Sequence, residues 1–199
     1  MTRPVITTQR LELRPMTPEH LPLHRELDTD PAVMRYLLGR SRTAAESDEF
    51  WAPRCAEKIA DAAGLGWWVG FVDDSFVGWW DLGRSDSEPG DGVKLGEAEI
   101  GWRVLRSQWG KGLAPEGATA LLHYAFETVG LDRAWAETMA VNTPSRRVME
   151  KIGMQHIATE VRDWDDPLPG SELGEVTYEI TKADWTHPWP QIISITGPR

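Results

Sequence analysis

The segment Glu97-Ala-Glu-Ile-Gly-Trp-Arg-Val-Leu105 alternates cleanly, and it opens a run to Met154 around which the remaining chain is arranged. Ala98, Ile100, Trp102 and Val104 share one face of a strand, while Glu97, Glu99, Gly101 and Arg103 share the other. Such a strand has one apolar face and one that can meet a ligand. Trp109-Gly110-Lys111-Gly112-Leu113-Ala114 follows as a loop. Beyond it, Ala118, Leu121, Leu122, Ala125, Phe126 and Val129 keep the spacing of a single buried helical stripe. Pro115 suits the first turn of that helix and Gly130 its C-terminal stop. A second strand, Ala134 to Ala140, and a second helix after Asn142 complete a strand, loop, helix, strand and helix in unbroken succession.

A glycine-rich turn feeding a helix offers backbone N–H groups and the positive end of the helix dipole, which suits a diphosphate. A side chain at either glycine would crowd a phosphate out. Two nucleotide-binding patterns nevertheless fail here. A Walker loop needs Ser or Thr where Gly112 follows Lys111, and the dinucleotide fingerprint needs a third glycine where Pro115 stands. The second failure also disfavours a nicotinamide oxidoreductase.

The spacing from Trp109 to Ala114 resembles instead the pyrophosphate loop of the GNAT superfamily of acyl-CoA N-acyltransferases, Gln/Arg-x-x-Gly-x-Gly/Ala. The segment from Asn142 through Ser145 and Val148 to Gly153-Met154 is similar to that superfamily's asparagine-initiated helix. With Glu99-Ile-Gly-Trp102 upstream, order and spacing resemble the branch that contains ribosomal-protein N-terminal acetyltransferases. The resemblance implies a mixed α/β fold, a largely antiparallel twisted sheet with helices on both faces. It also implies acetyl-CoA as co-substrate and a primary amine as acceptor. A protein or peptide N-terminal α-amine comes first, then a small cationic amine such as a polyamine or an aminoglycoside-like antibiotic; a non-catalytic acyl-CoA-binding module is the reading from another class.

By the same resemblance, the pantetheine arm of acetyl-CoA pairs with backbone groups around Trp102 to Val104, where the sheet splays. Its diphosphate meets Trp109, Gly110, Lys111, Gly112, Leu113 and Ala114, and Asn142 touches the arm. Asn142 could equally cap its helix. A backbone N–H near Val104 would face the thioester oxygen. Glu99 is the candidate base, through a water, with Glu97 on the same face as the alternative. Ser145 matches the serine near the sulfur and could return a proton to it, or bond its own helix backbone. Two departures matter. Trp109 replaces Gln or Arg, which leaves the grip on phosphate to backbone N–H groups, and Met149 stands where many relatives carry a tyrosine that protonates the leaving thiolate. The chain offers no Ser-His-Asp or Cys-His arrangement, in keeping with direct attack by the amine. An α-amine with a pKa of about 7.7 to 8.0 is substantially neutral at physiological pH, whereas a lysine near 10.4 is not, so a modest base suits the former.

Outside this run, 199 residues at 41% hydrophobic and 26% charged suffice for one sizeable core, and residues 1–199 read as one domain with a tail from about 186 to 199. No apolar run approaches a membrane span or a signal peptide, so a soluble cytoplasmic protein is expected. Cys55 is the only cysteine and reads as a packed thiol, which removes disulfides and thiolate metal clusters. A net charge of -10 argues against duplex nucleic acid and is compatible with a cationic acceptor. The protein is expected to be a monomer or homodimer without a metal.

Arg10 to Arg14 reads as a first strand with Leu11 and Leu13 inward, Thr17-Pro18 as a helix start, Asp30-Pro31 as another through Leu38, and Thr43 to Ala63 as a longer helix. His20 and His24, four apart, read as a solvated face rather than a metal chelate. Trp67 to Val72 and Phe76 to Leu82 flank Asp73-Asp74-Ser75 as a hairpin whose tryptophan doublets put one indole on each face. Eleven tryptophans exceed the needs of such a core; they read first as core packing and edge covering, and the sharper reading is that a few line the acceptor site and hold an organic cation. Arg84 to Gly96 reads as an acidic loop, and His156 to Val161 and Val176 to Thr181 as the last strands. Between these strands Asp163, Trp164 and Asp165 are second-rank candidates for acceptor contact, and the tail could add an edge strand, join a dimer contact or remain loose.

Overall fold

A computed structural model of the protein describes residues 3–56, 63–83, 96–186 and 194–197. Among these residues nine strands form one sheet: β1 (Val5–Thr7), β2 (Glu12–Pro15), β3 (Gly66–Val72), β4 (Ser75–Gly83), β5 (Glu97–Val104), β6 (Arg133–Met139), β7 (Gln155–Glu160), β8 (Glu175–Thr181) and β9 (Ser194–Thr196). Their spatial order is β7-β8-β6-β5-β4-β3-β2-β1-β9. Every neighbouring pair is antiparallel except β5 with β6. The tail thus supplies an edge strand, with Ile195 opposite Ile6. Strand β1 lies outside the sequence expectation.

The hairpin of β3 and β4 turns at Asp73 and Asp74, both with positive φ (48° and 59°). Two left-handed residues match the twist of the flanking strands, and Asp tolerates that region better than a branched residue. The turn fixes the register Trp67 to Asp81, Trp68 to Trp80 and Val69 to Trp79. Because successive side chains point to opposite faces, Trp68 and Trp80 enter one core and Trp67 and Trp79 the other.

The first core packs Leu13, Trp80 and Ile100 under α4 (Leu113–His123), and it also takes Met149 and Ile152 from the stretch around α5 (Thr143–Lys151). The expected stripe holds: Ala118, Leu121, Leu122, Ala125 and Phe126 are all buried. Gly117 lets α4 come down on the Trp80 ring, since a Cβ there would lie 2.4 Å from an indole carbon. Trp80 Nε1 then donates to the Ala114 carbonyl at 3.1 Å, which pins the first turn of the helix to the sheet. Past His123 the helix widens to a π-helical turn, Tyr124–Val129, and ends at Gly130 with φ 82°.

The second core, on the opposite face, gathers Leu27, Trp51, Val69, Phe71 and Trp79 beneath α1 (Leu21–Asp28), α2 (Pro31–Met34) and α3 (Ala44–Ala56). Thr17 starts a 3-10 turn, Pro18–His20, before α1. The helix from Pro31 ends at Met34, short of Leu38, and turns lead on to Gly39 at φ 66°. Of the helix expected from Thr43 to Ala63, α3 accounts for the part to Ala56; residues 57–62, like 84–95 of the acidic loop, lie outside the described residues. Cys55 is packed here, and burial pushes its thiol up to about 11, as befits a structural residue.

One expectation is overturned. His24 does not belong to a solvated face: it is fully buried, stacked on Trp51 with ring centroids 4.0 Å apart. Burial lowers its pKa to about 4, so it is a neutral core aromatic. Its spacing of three from Leu27 puts both side chains on the buried side of α1.

Candidate active site

Strand β5 pairs with β6 over three residues only, Glu97 with Arg133, Ala98 with Ala134 and Glu99 with Trp135. Its pairing with β4 continues to Val104. From Ile100 onward β6 no longer accompanies β5, and the two strands part. A cavity of about 1450 Å³ opens at this parting. Trp102, Val104, Trp109, Gly110, Gly112, Leu113 and Ala114 are on its wall, as are Glu99, Asn142 and Ser145. Lys111 and Glu97 are not.

The loop is held in place by contacts from three directions. Gly110 and Gly112 have φ of 74° and 80°, the left-handed region that glycine enters at little cost. A Cβ at Gly110 would meet no atom within 4 Å, and one at Gly112 only the Arg10 guanidinium at 3.4 Å. Backbone conformation, not crowding by the protein, requires glycine at both. Trp109 Nε1 donates to the Val104 carbonyl at 2.8 Å and so ties the loop to the end of β5. Lys111 Nζ donates back to Gln108 Oε1 at 2.9 Å. Arg10, from the turn between β1 and β2, donates to the Lys111 carbonyl at 2.8 Å and pairs with Glu116, which also accepts from Thr8 Oγ1 at 2.6 Å. Nothing local in the sequence marks Arg10 or Glu116, because their partnership spans about a hundred residues. Gly112 is the N-cap of α4, whose first-turn N–H groups have no intrahelical acceptors and point toward the loop. The arrangement fits a diphosphate.

At the start of α5, Asn142 takes the capping role: its Oδ1 accepts from Ser145 N at 3.4 Å, while its Nδ2 donates to Thr138 Oγ1 at 2.9 Å. It combines that role with a place on the cavity wall. The Ser145 hydroxyl, half-buried on the same wall, makes no hydrogen bond to another described residue. Met149 is a core residue. Tyr36 is the one tyrosine on the wall among the described residues.

Glu97 and Glu99 part company at the cavity. Arg133 holds Glu97 at 2.8 Å and Glu179 at 2.6 Å, away from the cavity, whereas Glu99 lines it. Glu137 of β6 also lines the cavity but is gripped by two hydrogen bonds from Arg162, each 2.7 Å. Three acidic groups that sequence reading did not single out therefore bear on this region: Glu137, Asp81 on β4, and Asp28 at the end of α1. Asp28 is fully buried. It accepts from Arg103 Nη1 at 2.7 Å, Arg42 Nη1 at 3.0 Å, Ser47 Oγ at 3.1 Å and Trp51 Nε1 at 2.9 Å. That hub clamps the helical side of the cleft to β5. Burial draws the Arg103 guanidinium down to about 10, still charged at neutral pH. Trp67 and Trp79 line the cavity with ring centroids 4.9 Å apart. Asp163, Trp164 and Asp165 are not on its wall; their connection reaches the helical side through Leu168, which abuts Gly39.

Among the described residues there is no group of three or more His, Cys, Asp or Glu placed to hold a metal, and no helix long and apolar enough to cross a membrane.

Comparison with known proteins agrees with this geometry. The acetyltransferase (GNAT) domain model matches residues 10–155, which include the strand, the loop and the asparagine helix. The FsC-acetyl coenzyme A-N(2)-transacetylase of Aspergillus fumigatus is 40% identical over 187 residues, covering 92% of this chain and 78% of that protein. A GNAT-family acetyltransferase from Bacillus anthracis superposes with a TM-score of 0.72 at 26% identity, over 90% of this chain and 99% of that one. Mycobacterium smegmatis RimJ, solved in complex with CoA-disulfide, shares the fold with a TM-score of 0.73 at 21% identity, over 94% and 93% of the two chains. Parted strands above a glycine loop, within a domain match that spans both, have one consistent meaning: the chain belongs to the GNAT acetyltransferase family and is an N-acetyltransferase.

Proposed function

We propose that the protein transfers an acetyl group from acetyl-CoA to an α-amine, with a protein or peptide N-terminus as the preferred acceptor. The observation that carries this reading is the parting of β5 from β6 beside Glu99, which sets a carboxylate where a donor arm and an acceptor amine can meet. In this reading the edge of β5 from Trp102 to Val104 takes the pantetheine arm as an added strand would be taken. The loop from Trp109 to Ala114 takes the diphosphate through backbone N–H groups, with Lys111 as a flanking charge, and Asn142 meets the arm.

Transfer by direct attack asks for three things from the chain: a fixed donor, a neutral amine and a donor for the oxyanion. Glu99 accepts the proton of the acceptor ammonium through a water, which frees the nitrogen lone pair to attack the thioester carbonyl. The N–H of Val104 serves the oxygen as it gains charge. As the tetrahedral intermediate collapses, the nitrogen sheds its second proton and Ser145 relays a proton to the departing sulfur, so that the serine hydroxyl is restored and the products are the amide and the free thiol. An α-amine asks less of Glu99 than a lysine does, because its pKa of about 7.7 to 8.0 lies near working pH.

A small-molecule amine is the second reading, and the name of the Aspergillus fumigatus relative favours it: that protein is a transacetylase for an acceptor designated FsC, at a nitrogen numbered 2. Free-thiol release from acetyl-CoA separates the two readings, using short peptides with free N-termini, N-blocked lysine peptides, polyamines and aminoglycosides as acceptors. Release with the free N-termini is the expected result; release with polyamines or aminoglycosides alone selects the small-molecule reading, and silence throughout, with acetyl-CoA bound, counts against catalysis.

A further inference from the structure

The chain carries a net charge of -10, yet the charge left over on the cavity wall is positive. Among the described residues, five basic side chains line that wall, Arg35, Arg54, Arg103, Arg147 and Lys151, against three acidic ones, Asp81, Glu99 and Glu137. Arg162 neutralises Glu137. Asp81 and Glu99 each have an interaction of their own, and Asp81 also acts on Arg103. A Cβ on Gly101 would lie 2.3 Å from Asp81 Oδ1, so that carboxylate lies against β5. Arg103 is tied to Asp28, which Arg42 shares. The other four cations make no ion pair with another described residue. Arg147 and Lys151 are one turn apart on α5, the helix that Asn142 caps, and so belong to the side proposed for the donor. Arg35 and Arg54 stand on the helical side. Arg54 of α3 is half-buried: its guanidinium lies over the Phe50 ring at 3.7 Å, and its Nη1 donates to the Phe50 carbonyl at 2.7 Å. Arg35, just after α2, lies over the Tyr36 ring at 5.1 Å. Ring contacts and one main-chain bond thus hold these two groups in place without neutralising them. The acids of the neighbouring helices are drawn elsewhere: Asp28 into its buried cluster, Asp48 to Arg25 at 2.7 Å and Glu46 to Arg40 at 2.8 Å, while the exposed Glu49 is not on the wall.

We propose that Arg35 and Arg54 seat an anionic group of the acceptor, so that the preferred acceptor is a peptide whose free α-amine is followed, within its first residues, by an acidic side chain. The assignment rests on reading the cavity as a site of peptide α-amine acetylation. Glu99 stands on the sheet and the two arginines on the helices, so the amine and the carboxylate of one acceptor address different walls. A guanidinium whose face is covered by an aromatic ring keeps its edge N–H groups for a carboxylate, the geometry of a strong charge-assisted bond. A polyamine brings only positive charge to the same place, and like charges brought together there reject it. The negative charge of the chain as a whole is therefore a property of its exterior and not of this wall.

Calorimetric titration of the CoA-loaded protein tests this, with three peptide amides that share a free N-terminal alanine and continue with two glutamates, two glutamines or two lysines. The expected result is that the acidic peptide binds about fivefold or more tighter than the neutral one, that the lysyl peptide binds weakest, and that the preference shrinks at high ionic strength. Arg35→Gln combined with Arg54→Gln is expected to bring the acidic and neutral peptides to within about twofold of each other, with affinity for CoA unchanged. Arg35 is exposed, and Arg35→Gln alone carries the test, as a partial loss of the preference, if the double variant does not fold. Equal binding of the three peptides, tighter binding of the lysyl peptide, a preference that survives the double substitution, or absence of any peptide binding overturns the assignment. Loss of CoA affinity in the double variant overturns it too, since the two arginines would then serve the donor. Thiol release from acetyl-CoA with the same peptides is a separate readout: charge-dependent binding without any transfer would count against the proposed reaction and not against the seat, whereas transfer that ignores the charge of the peptide would count against the seat alone.

Discussion

Glu99 and Glu97 are two residues apart on one face, and the cleft distinguishes them by what each touches. A positioned proton acceptor contributes roughly 10² to 10⁴ in rate. Glu99→Gln is accordingly expected to lower kcat by about a hundredfold or more in steady-state assays, with the KM for acetyl-CoA nearly unchanged. Glu97→Gln removes one half-buried ion pair with Arg133, worth about 1 kcal/mol or less. It is expected to retain turnover and to lower the denaturation midpoint slightly; loss of turnover in Glu97→Gln together with an active Glu99→Gln would reverse the assignment. Trp109 tests the donor side. Trp109→Phe deletes the 2.8 Å bond to the Val104 carbonyl, about 0.5 to 1.5 kcal/mol, and is expected to raise the KM for acetyl-CoA about two- to tenfold with kcat preserved. At this scale the proposed site residues Glu99, Gly110, Gly112, Asn142 and Ser145 could be singled out because each belongs to a local spacing, and all five are on the cavity wall. Asp81 and Asp28 were not, because an isolated aspartate acquires meaning only once strand register and helix docking bring Gly101 or Arg103 against it.

Among the elements, the joint between β5 and the helices α1 and α3 is the one on which the cleft's shape depends. Asp28 closes it with four donors from four places in the chain, Arg42, Ser47, Trp51 and Arg103. Removing one partner of a buried ionic cluster leaves the others uncompensated, a loss of about 3 to 5 kcal/mol. Asp28→Ala is expected to lose stability of that order in urea unfolding, and at permissive temperature to raise the acceptor KM more than the acetyl-CoA KM, since its partners Arg42, Ser47, Trp51 and Arg103 lie outside the loop from Trp109 to Ala114. A loss below about 1 kcal/mol would remove the hub from the account. Elements with long periodic patterns, such as β5 and α4, were readable from the sequence alone. The three-residue β1 was not, being too short for alternation to register, and no sequence pattern marks the π-helical turn after His123, where the Tyr124 hydroxyl bonds the Gly64 carbonyl at 3.0 Å.

For the molecule as a whole, His24 links stability to pH. Its neutral form is the one that fits against Trp51, with a folded pKa near 4 against 6.5 in an exposed chain. The unfolded chain therefore binds the extra proton first as pH falls, and stability present above pH 6.5 is lost progressively down to about pH 4. The span corresponds to a loss on the order of 3 kcal/mol. His24→Leu is expected to flatten that part of the stability curve in denaturant titrations between pH 7 and pH 4; an unchanged slope would mean that other groups set the acid limb. The fold class and the residues proposed for the donor side could be read from one continuous run. The proposed acceptor side draws on α1, α3, β3 and β4, which meet only in the folded chain. The most direct measurement is fragmentation mass spectrometry of a single peptide that carries both a free α-amine and a lysine, after incubation with the protein and acetyl-CoA. Acetylation at the α-amine with the lysine left free is the expected result, and acetylation confined to the lysine side chain would contradict the account.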